Sequence, residues 1–171
     1  WNYAVGAKWE HFAENGLWTF VASRNMLNNR TYKYQDNDET LPLTTDYLSQ
    51  EMENKFRIEH KLYLDKGWKF AYGINYEFAK YNNSSQFQQF SYATGELGTI
   101  NFYSEFDMHK YGAFSQVSRT MLGQRLVLSA GLRMDGNEYS ASMEIPLEQL
   151  SPRLAASYYL APGLSANFNT G

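Results

Sequence analysis

Hydrophobic residues recur at every second position along much of this chain. In Trp1-Asn2-Tyr3-Ala4-Val5-Gly6-Ala7-Lys8-Trp9-Glu10, odd positions are apolar and even positions are small, polar or charged. That period is the period of a β-strand with one apolar and one polar face. After Ala13-Glu14-Asn15-Gly16 the apolar face resumes at Trp18, Phe20 and Ala22. Phe56, Ile58, His60, Leu62 and Leu64 then share a face, as do Trp68, Phe70, Tyr72, Ile74, Tyr76 and Phe78. Lys55, Arg57, Glu59 and Lys61 fall opposite, followed by Lys69, Ala71, Gly73, Asn75 and Glu77.

Keeping both apolar sets of this hairpin on one side requires Leu64 to pair with Trp68. The loop is then Asp65-Lys66-Gly67, with glycine where a left-handed residue is wanted. The same register sets Lys55 opposite Glu77 and Arg57 opposite Asn75. Leu154, Ala156, Tyr158 and Leu160 repeat the device with Leu164, Ala166 and Phe168; pairing Leu160 with Leu164 leaves Ala161-Pro162-Gly163 as the loop. Between these lies a third hairpin, closed by Leu122-Gly123-Gln124-Arg125. Tyr111, Ala113 and Val117 alternate with Lys110, Gly112, Gln116 and Ser118, then Leu126, Leu128, Ala130 and Leu132 with Val127, Ser129, Gly131 and Arg133. Two residues are out of phase: Phe114 falls on the polar face, and Arg119 falls on the apolar face, where it can snorkel to a membrane boundary.

Short connections thus alternate with long ones, over 25–52, 81–105 and 135–150. Tight turns on one side and long loops on the other are the pattern of a transmembrane barrel. The expected fold is all-β: an antiparallel up-and-down transmembrane β-barrel segment of about eight strands in four hairpins, with short periplasmic turns and long extracellular loops. A short helix is expected near Tyr47–Met52, inside the first long loop. Both ends of the chain, Trp1 and Asn167-Phe168-Asn169-Thr170-Gly171, fall inside alternating stretches. The expectation is therefore one partial barrel domain over 1–171, with neither signal peptide nor plug.

Composition refines the picture. Net charge is −3, which disfavours a nucleic-acid footprint. The absence of Cys excludes disulfides, zinc thiolates and cysteine nucleophiles. Mean hydropathy is −0.56, but alternating lipid-facing and lumen-facing residues cancel in such an average. Bulky aromatics flank the short turns: Trp9, Phe12 and Trp18, then Trp68 and Phe70, then Tyr158 and Tyr159. They are placed as an aromatic girdle is placed at a membrane interface.

Three motifs in order carry a family resemblance. Lys110-Tyr111-Gly112-Ala113-Phe114-Ser115-Gln116-Val117 comes first, then Leu126-Val127-Leu128-Ser129-Ala130-Gly131-Leu132-Arg133-Met134-Asp135, then Leu150-Ser151-Pro152-Arg153-Leu154-Ala155-Ala156-Ser157-Tyr158. Together they resemble the barrel strands of TonB-dependent outer-membrane receptors. The ordered match covers 110–160, and 1–105 agrees in style. The resemblance implies a bacterial outer-membrane location, a larger barrel filled by a plug, and energy from the TonB complex through parts absent from this chain. It implies uptake of a siderophore, cobalamin, a glycan or a peptide. Partners are then outer-membrane lipid, the rest of the barrel and its plug, with no nucleic acid. Two other readings stay open: a complete eight-stranded barrel acting as an adhesin or anchor, and a soluble lipocalin-like barrel with its apolar face turned inward.

No cofactor, metal site or catalytic group is expected, and the chain is read as no enzyme. His11, His60 and His109 sit on different strands, and His60 is expected at a surface or interface. Asp36, Asp38 and Glu39 lack calcium-loop spacing and read as a solvated acidic loop. Ser104-Glu105-Phe106-Asp107-Met108-His109 sets acids beside a His, which does not make a triad. There is neither a Gly-x-Ser-x-Gly elbow nor a phosphate loop. Candidate ligand contacts are the loop aromatics Tyr32, Tyr34, Tyr47, Phe87, Phe90, Tyr92 and Tyr103. Arg133 and Arg153 are expected to face the lumen, where an internal charge ladder competes with contact to plug or anionic cargo.

Overall fold

A computed structural model describes residues 1–92 and 95–171. It contains eight strands: β1 (Tyr3–Ala13), β2 (Gly16–Tyr34), β3 (Leu43–Tyr63), β4 (Trp68–Ser91), β5 (Glu96–Met121), β6 (Leu126–Asn137), β7 (Ser151–Ala161) and β8 (Leu164–Thr170). They form one sheet in chain order, so each strand pairs with its sequence neighbours and β1 and β8 are its two ends. The up-and-down reading holds, and so do the short connections.

The turns carry the register. In the second hairpin the Leu64 N–H donates to the Trp68 carbonyl at 2.9 Å, which is the pairing that the alternation demanded. Lys66 and Gly67 both take left-handed conformations, φ 58° and 77°. In the third, Met121 pairs with Leu126 across the four-residue loop. In the fourth, the strand bodies keep the expected register, with Tyr158 opposite Ala166 and Ala156 opposite Phe168. The turn itself differs from expectation. Ala161 pairs with Leu164, leaving Pro162-Gly163, and the surplus residue is absorbed as a bulge between Tyr159 and Ala161. The first turn is also tighter than expected, because Ala13 and Gly16 belong to strands.

The larger correction concerns the long connections. Most of 25–52 and 81–105 is paired strand, not loop. The helix expected near Tyr47–Met52 is instead the middle of β3. What remains among the described residues are a 3-10 turn at Gln35–Asn37 and a true loop after Asn137 with two 3-10 turns, Ala141–Met143 and Pro146–Gln149; part of the connection between β4 and β5 lies outside the described residues.

Contacts divide the chain into two compact units. One comprises Gly6–Ala22, Lys55–Glu77 and His109–Gly171, and holds all four short turns. The other comprises Trp1–Val5, Ser23–Asn54 and Phe78–Met108. Among the described residues no large hydrophobic side chain is fully buried, so this sheet has no enclosed apolar core. Its apolar face lies open: Val5, Trp9, Phe56, Ile74, Leu132, Leu154 and Phe168 are all exposed.

One of the two out-of-phase residues, Phe114, is matched by a glycine on the neighbouring strand. Phe114 lies against Gly73, where an added Cβ would meet the Ile58 carbonyl oxygen at 2.5 Å and the Phe114 ring at 2.7 Å. Glycine on β4 thus makes room for an aromatic ring on the polar face of β5. The Arg57 guanidinium covers that ring at 5.1 Å from its centroid. Gly73→Ala is expected to destabilise the sheet by about 1–3 kcal/mol, because the backbone carbonyl cannot step aside. A lower urea midpoint for the folded protein in detergent checks this, and an unchanged midpoint refutes it.

Candidate functional site

The polar face of the first unit is laced with ion pairs. Glu77 on β4 meets Lys110 at 2.6 Å and Lys55 at 3.7 Å, bridging β3, β4 and β5. Glu59 accepts from Arg57 at 2.6 Å and Lys61 at 2.9 Å, its neighbours two positions away on the same side of β3. Arg133 grips Asp135 through two hydrogen bonds, 2.6 and 2.9 Å, again at a spacing of two along one strand. Alternation explains the pattern. Side chains at i and i+2 stand side by side, so a charged face tends to neutralise itself.

Arg153 breaks that rule. It lines a cleft of about 490 Å³ with Arg57, Arg133, Asn75, Gln116 and Asn169. Arg57 and Arg133 each have a carboxylate, whereas Arg153 has no ion pair among the described residues. The cleft floor includes Phe114 and Gly131, and its lining includes the hydroxyls of Ser115, Ser129 and Thr170. It therefore offers a cation, amide and hydroxyl donors and one aromatic surface, the set that holds an anionic or hydroxyl-bearing group.

In the second unit the aromatic candidates sit on strands more often than on loops. Tyr32 and Tyr34 on β2 are two apart, with rings 6.0 Å apart and edge-on, and Arg30 stands 5.7 Å over the Tyr32 ring. Arg30 in turn pairs with Asp46 at 3.0 Å. Tyr103 donates to Glu105, which also binds Lys80. Those two partners hold the Glu105 carboxyl below its usual range, Lys80 foremost. Arg30, Asp46, Ser84, Gln86, Asn101 and Tyr103 line a second polar cleft of about 490 Å³. Phe90 and Tyr92 stack edge-on at 5.4 Å, and Tyr92 is 95% exposed. Phe87 is exposed as well. Tyr47 is the exception, half-buried and hydrogen-bonded within a cluster of Ser49, Tyr81 and Asn83. The structure thus brings Tyr103 to a polar cleft, groups Tyr32 with Tyr34 and Phe90 with Tyr92, and places Tyr47 in a structural network.

The histidines do not converge. His60 is 8% exposed, which rules out the surface half of the surface-or-interface expectation. It stacks flat on Trp18 at 3.9 Å, and its Nδ1 is 3.0 Å from the Tyr72 hydroxyl. His109 Nδ1 lies 2.6 Å from the Tyr76 hydroxyl. No three His, Cys, Asp or Glu residues form a metal-sized group among the described residues. The Arg57–Phe114–Gly73 arrangement and the His60 sandwich escaped the sequence reading. Phe114 out of phase, with glycine on a facing strand, was the available signal for the first.

Comparison with known proteins follows the same lines. The family model for the TonB-dependent receptor-like β-barrel matches residues 1–171. Among solved structures the chain is similar to a copper transporter, OprC, with a TM-score of 0.64 and 14% sequence identity. That match covers 92% of this chain and 27% of the other, so this chain spans about a quarter of the transporter's length. The likeness is one of fold. No curated protein matches the chain.

The acidic loop gives a pH prediction. Asp38 Oδ1 accepts from the Thr40 N–H at 2.9 Å and the Thr40 hydroxyl at 2.7 Å. Both bonds favour the ionised carboxylate, backbone first, and hold its pKa below the usual value. A lowered pKa means that the turn's added order is complete above the ordinary carboxylate value, about 3.9. It is lost as pH falls through the lowered one. Carboxyl-carbon NMR titration is expected to place the Asp38 midpoint below that of a free Asp. Thr40→Val returns it part of the way; an unmoved midpoint in the variant refutes the hydroxyl's part.

Proposed function

We propose, for a chain that belongs to the TonB-dependent receptor β-barrel family, that it forms part of the membrane-spanning wall of a transporter taking up a nutrient across the bacterial outer membrane. The observation that carries this reading is the division of one sheet into two faces: an open apolar face, and a polar face of ion pairs on which Arg153 has no ion pair among the described residues. The apolar face meets lipid and the polar face meets the lumen. Proteins of this family sit in the bacterial outer membrane and work with a plug and the TonB complex in the full protein. Arg153 and its cleft face the plug or an anionic part of the cargo, and Arg133 keeps to its own aspartate.

Cargo capture falls to the aromatics beyond the short-turn unit. Tyr32, Tyr34, Phe87, Phe90, Tyr92 and Tyr103 present rings that suit an aromatic siderophore, cobalamin, a glycan or a peptide. Copper belongs to the name of the similar transporter, whose likeness to this chain at 14% identity is one of fold. A closed eight-stranded adhesin is disfavoured because β1 and β8 are the ends of the sheet and do not pair with one another. A lipocalin-like barrel is disfavoured because its interior would bury the apolar face, which here is exposed.

Uptake by cells producing the full protein tests the reading. Accumulation of the cargo that supports growth is expected to require TonB, and Arg153→Glu is expected to reduce uptake about tenfold at equal surface abundance. That size corresponds to one charge-assisted contact. TonB-independent uptake sinks the transporter assignment, whereas full activity of Arg153→Glu sinks the role of Arg153.

A further inference from the structure

The apolar face carries one feature that a uniform lipid-facing wall does not explain. Arg119 stands on it, two residues before β5 ends at the short turn. Its register partners run in a row across three more strands: Leu128 on β6, Ala156 on β7 and Phe168 on β8. The next row, further from the turn, is Val117, Ala130 and Leu154. Alanine at 130 and 156 lowers the surface between larger neighbours. The result is an open groove of about 570 Å³ walled by Trp68, Leu128, Leu154 and Phe168, with Arg119 on its rim.

The arginine is not spent on a protein partner. It forms no ion pair among the described residues, and its Nε is buried without a hydrogen-bond acceptor. The Trp68 ring lies against its guanidinium, 4.9 Å from the ring centroid. A buried N–H without an acceptor costs free energy that a bound oxygen removes.

We propose that this groove is a binding site for one phospholipid of the periplasmic leaflet. The phosphate sits on Arg119 and one acyl chain lies over Ala130 and Ala156. Bidentate recognition of a phosphate suits a planar guanidinium held by an aromatic face. The small-residue floor accepts a chain that a larger side chain would exclude. The site rests on the lipid-facing assignment of this wall and goes beyond it, since a girdle residue contacts bulk lipid without selecting a molecule. Anionic phosphatidylglycerol is the preferred occupant, because Arg119 is the one charged residue lining the groove and no carboxylate lines it.

Native mass spectrometry of the full protein, delipidated in detergent and titrated with dioleoyl phosphatidylglycerol, tests this. One lipid is expected to bind above the non-specific ladder. Arg119→Gln is expected to weaken that first site about tenfold, the loss of one charge-assisted contact, and Arg119→Lys to weaken it less. Ala156→Leu, which keeps the arginine and fills the floor, is expected to abolish the first site while the protein retains its heat-modifiable mobility. Equal binding by wild type and Ala156→Leu overturns the groove. Displacement of the lipid by millimolar inorganic phosphate overturns the lipid as occupant. Undiminished binding by Arg119→Gln, with TonB-dependent uptake intact, overturns the site and leaves the transport reading standing.

Discussion

Register is the constraint on which the rest of this structure depends. Side chains on a strand alternate, so a slip of β3 by one residue would carry Lys55, Arg57, Glu59 and Lys61 onto the apolar face and strip Glu77 of Lys55. Two devices oppose the slip. The short turns close each hairpin at a set residue, as Leu64 on Trp68 and Met121 on Leu126. The Lys55–Glu77–Lys110 bridge then ties three strands across the polar face. Exposed ion pairs contribute little to stability singly. Here their value lies in the difference between registers, because the wrong one would bury charge in an apolar medium.

The same constraint explains which parts of the fold were legible in the sequence. Near the short turns one face is apolar and the other charged, so periodicity and turn chemistry agree and the strands can be paired residue by residue. Farther out, both faces turn polar. Asn28-Asn29-Arg30 and Tyr81-Asn82-Asn83-Ser84-Ser85 lie inside β2 and β4, yet their composition is that of loops. A strand that leaves lipid no longer needs an apolar side, and the alternation that reveals strands fades with that need. The helix expected near Tyr47–Met52 failed for this reason. The bulge before Gly163 was hidden differently, since a two-residue turn plus a bulge consumes the same chain as a three-residue loop.

Candidate site residues were legible to a lesser degree, because a strand pattern gives direction but not partners. Arg133 and Arg153 are both read as inward-facing from parity. Only the arrangement of side chains separates them: Asp135 stands two residues from Arg133, while the equivalent neighbours of Arg153 are Ser151 and Ala155. That difference could have been read at once from the i, i+2 rule. The aromatic groupings could not, because Tyr32 beside Tyr34 and Tyr103 beside Lys80 depend on strands that the composition conceals.

Stability without an enclosed apolar core follows from the medium. Lipid takes the place of a second packing layer, so exposed Trp9, Ile74 and Leu154 are at home on the apolar face. Lipid cannot, however, satisfy a backbone N–H or carbonyl, and an open strand edge in a bilayer would cost several kcal/mol per unpaired group. Strands β1 and β8 each pair on one side within this sheet. Ion pairs that hold register and a bare apolar face are therefore consequences of a single arrangement: a wall whose packing partner is the membrane.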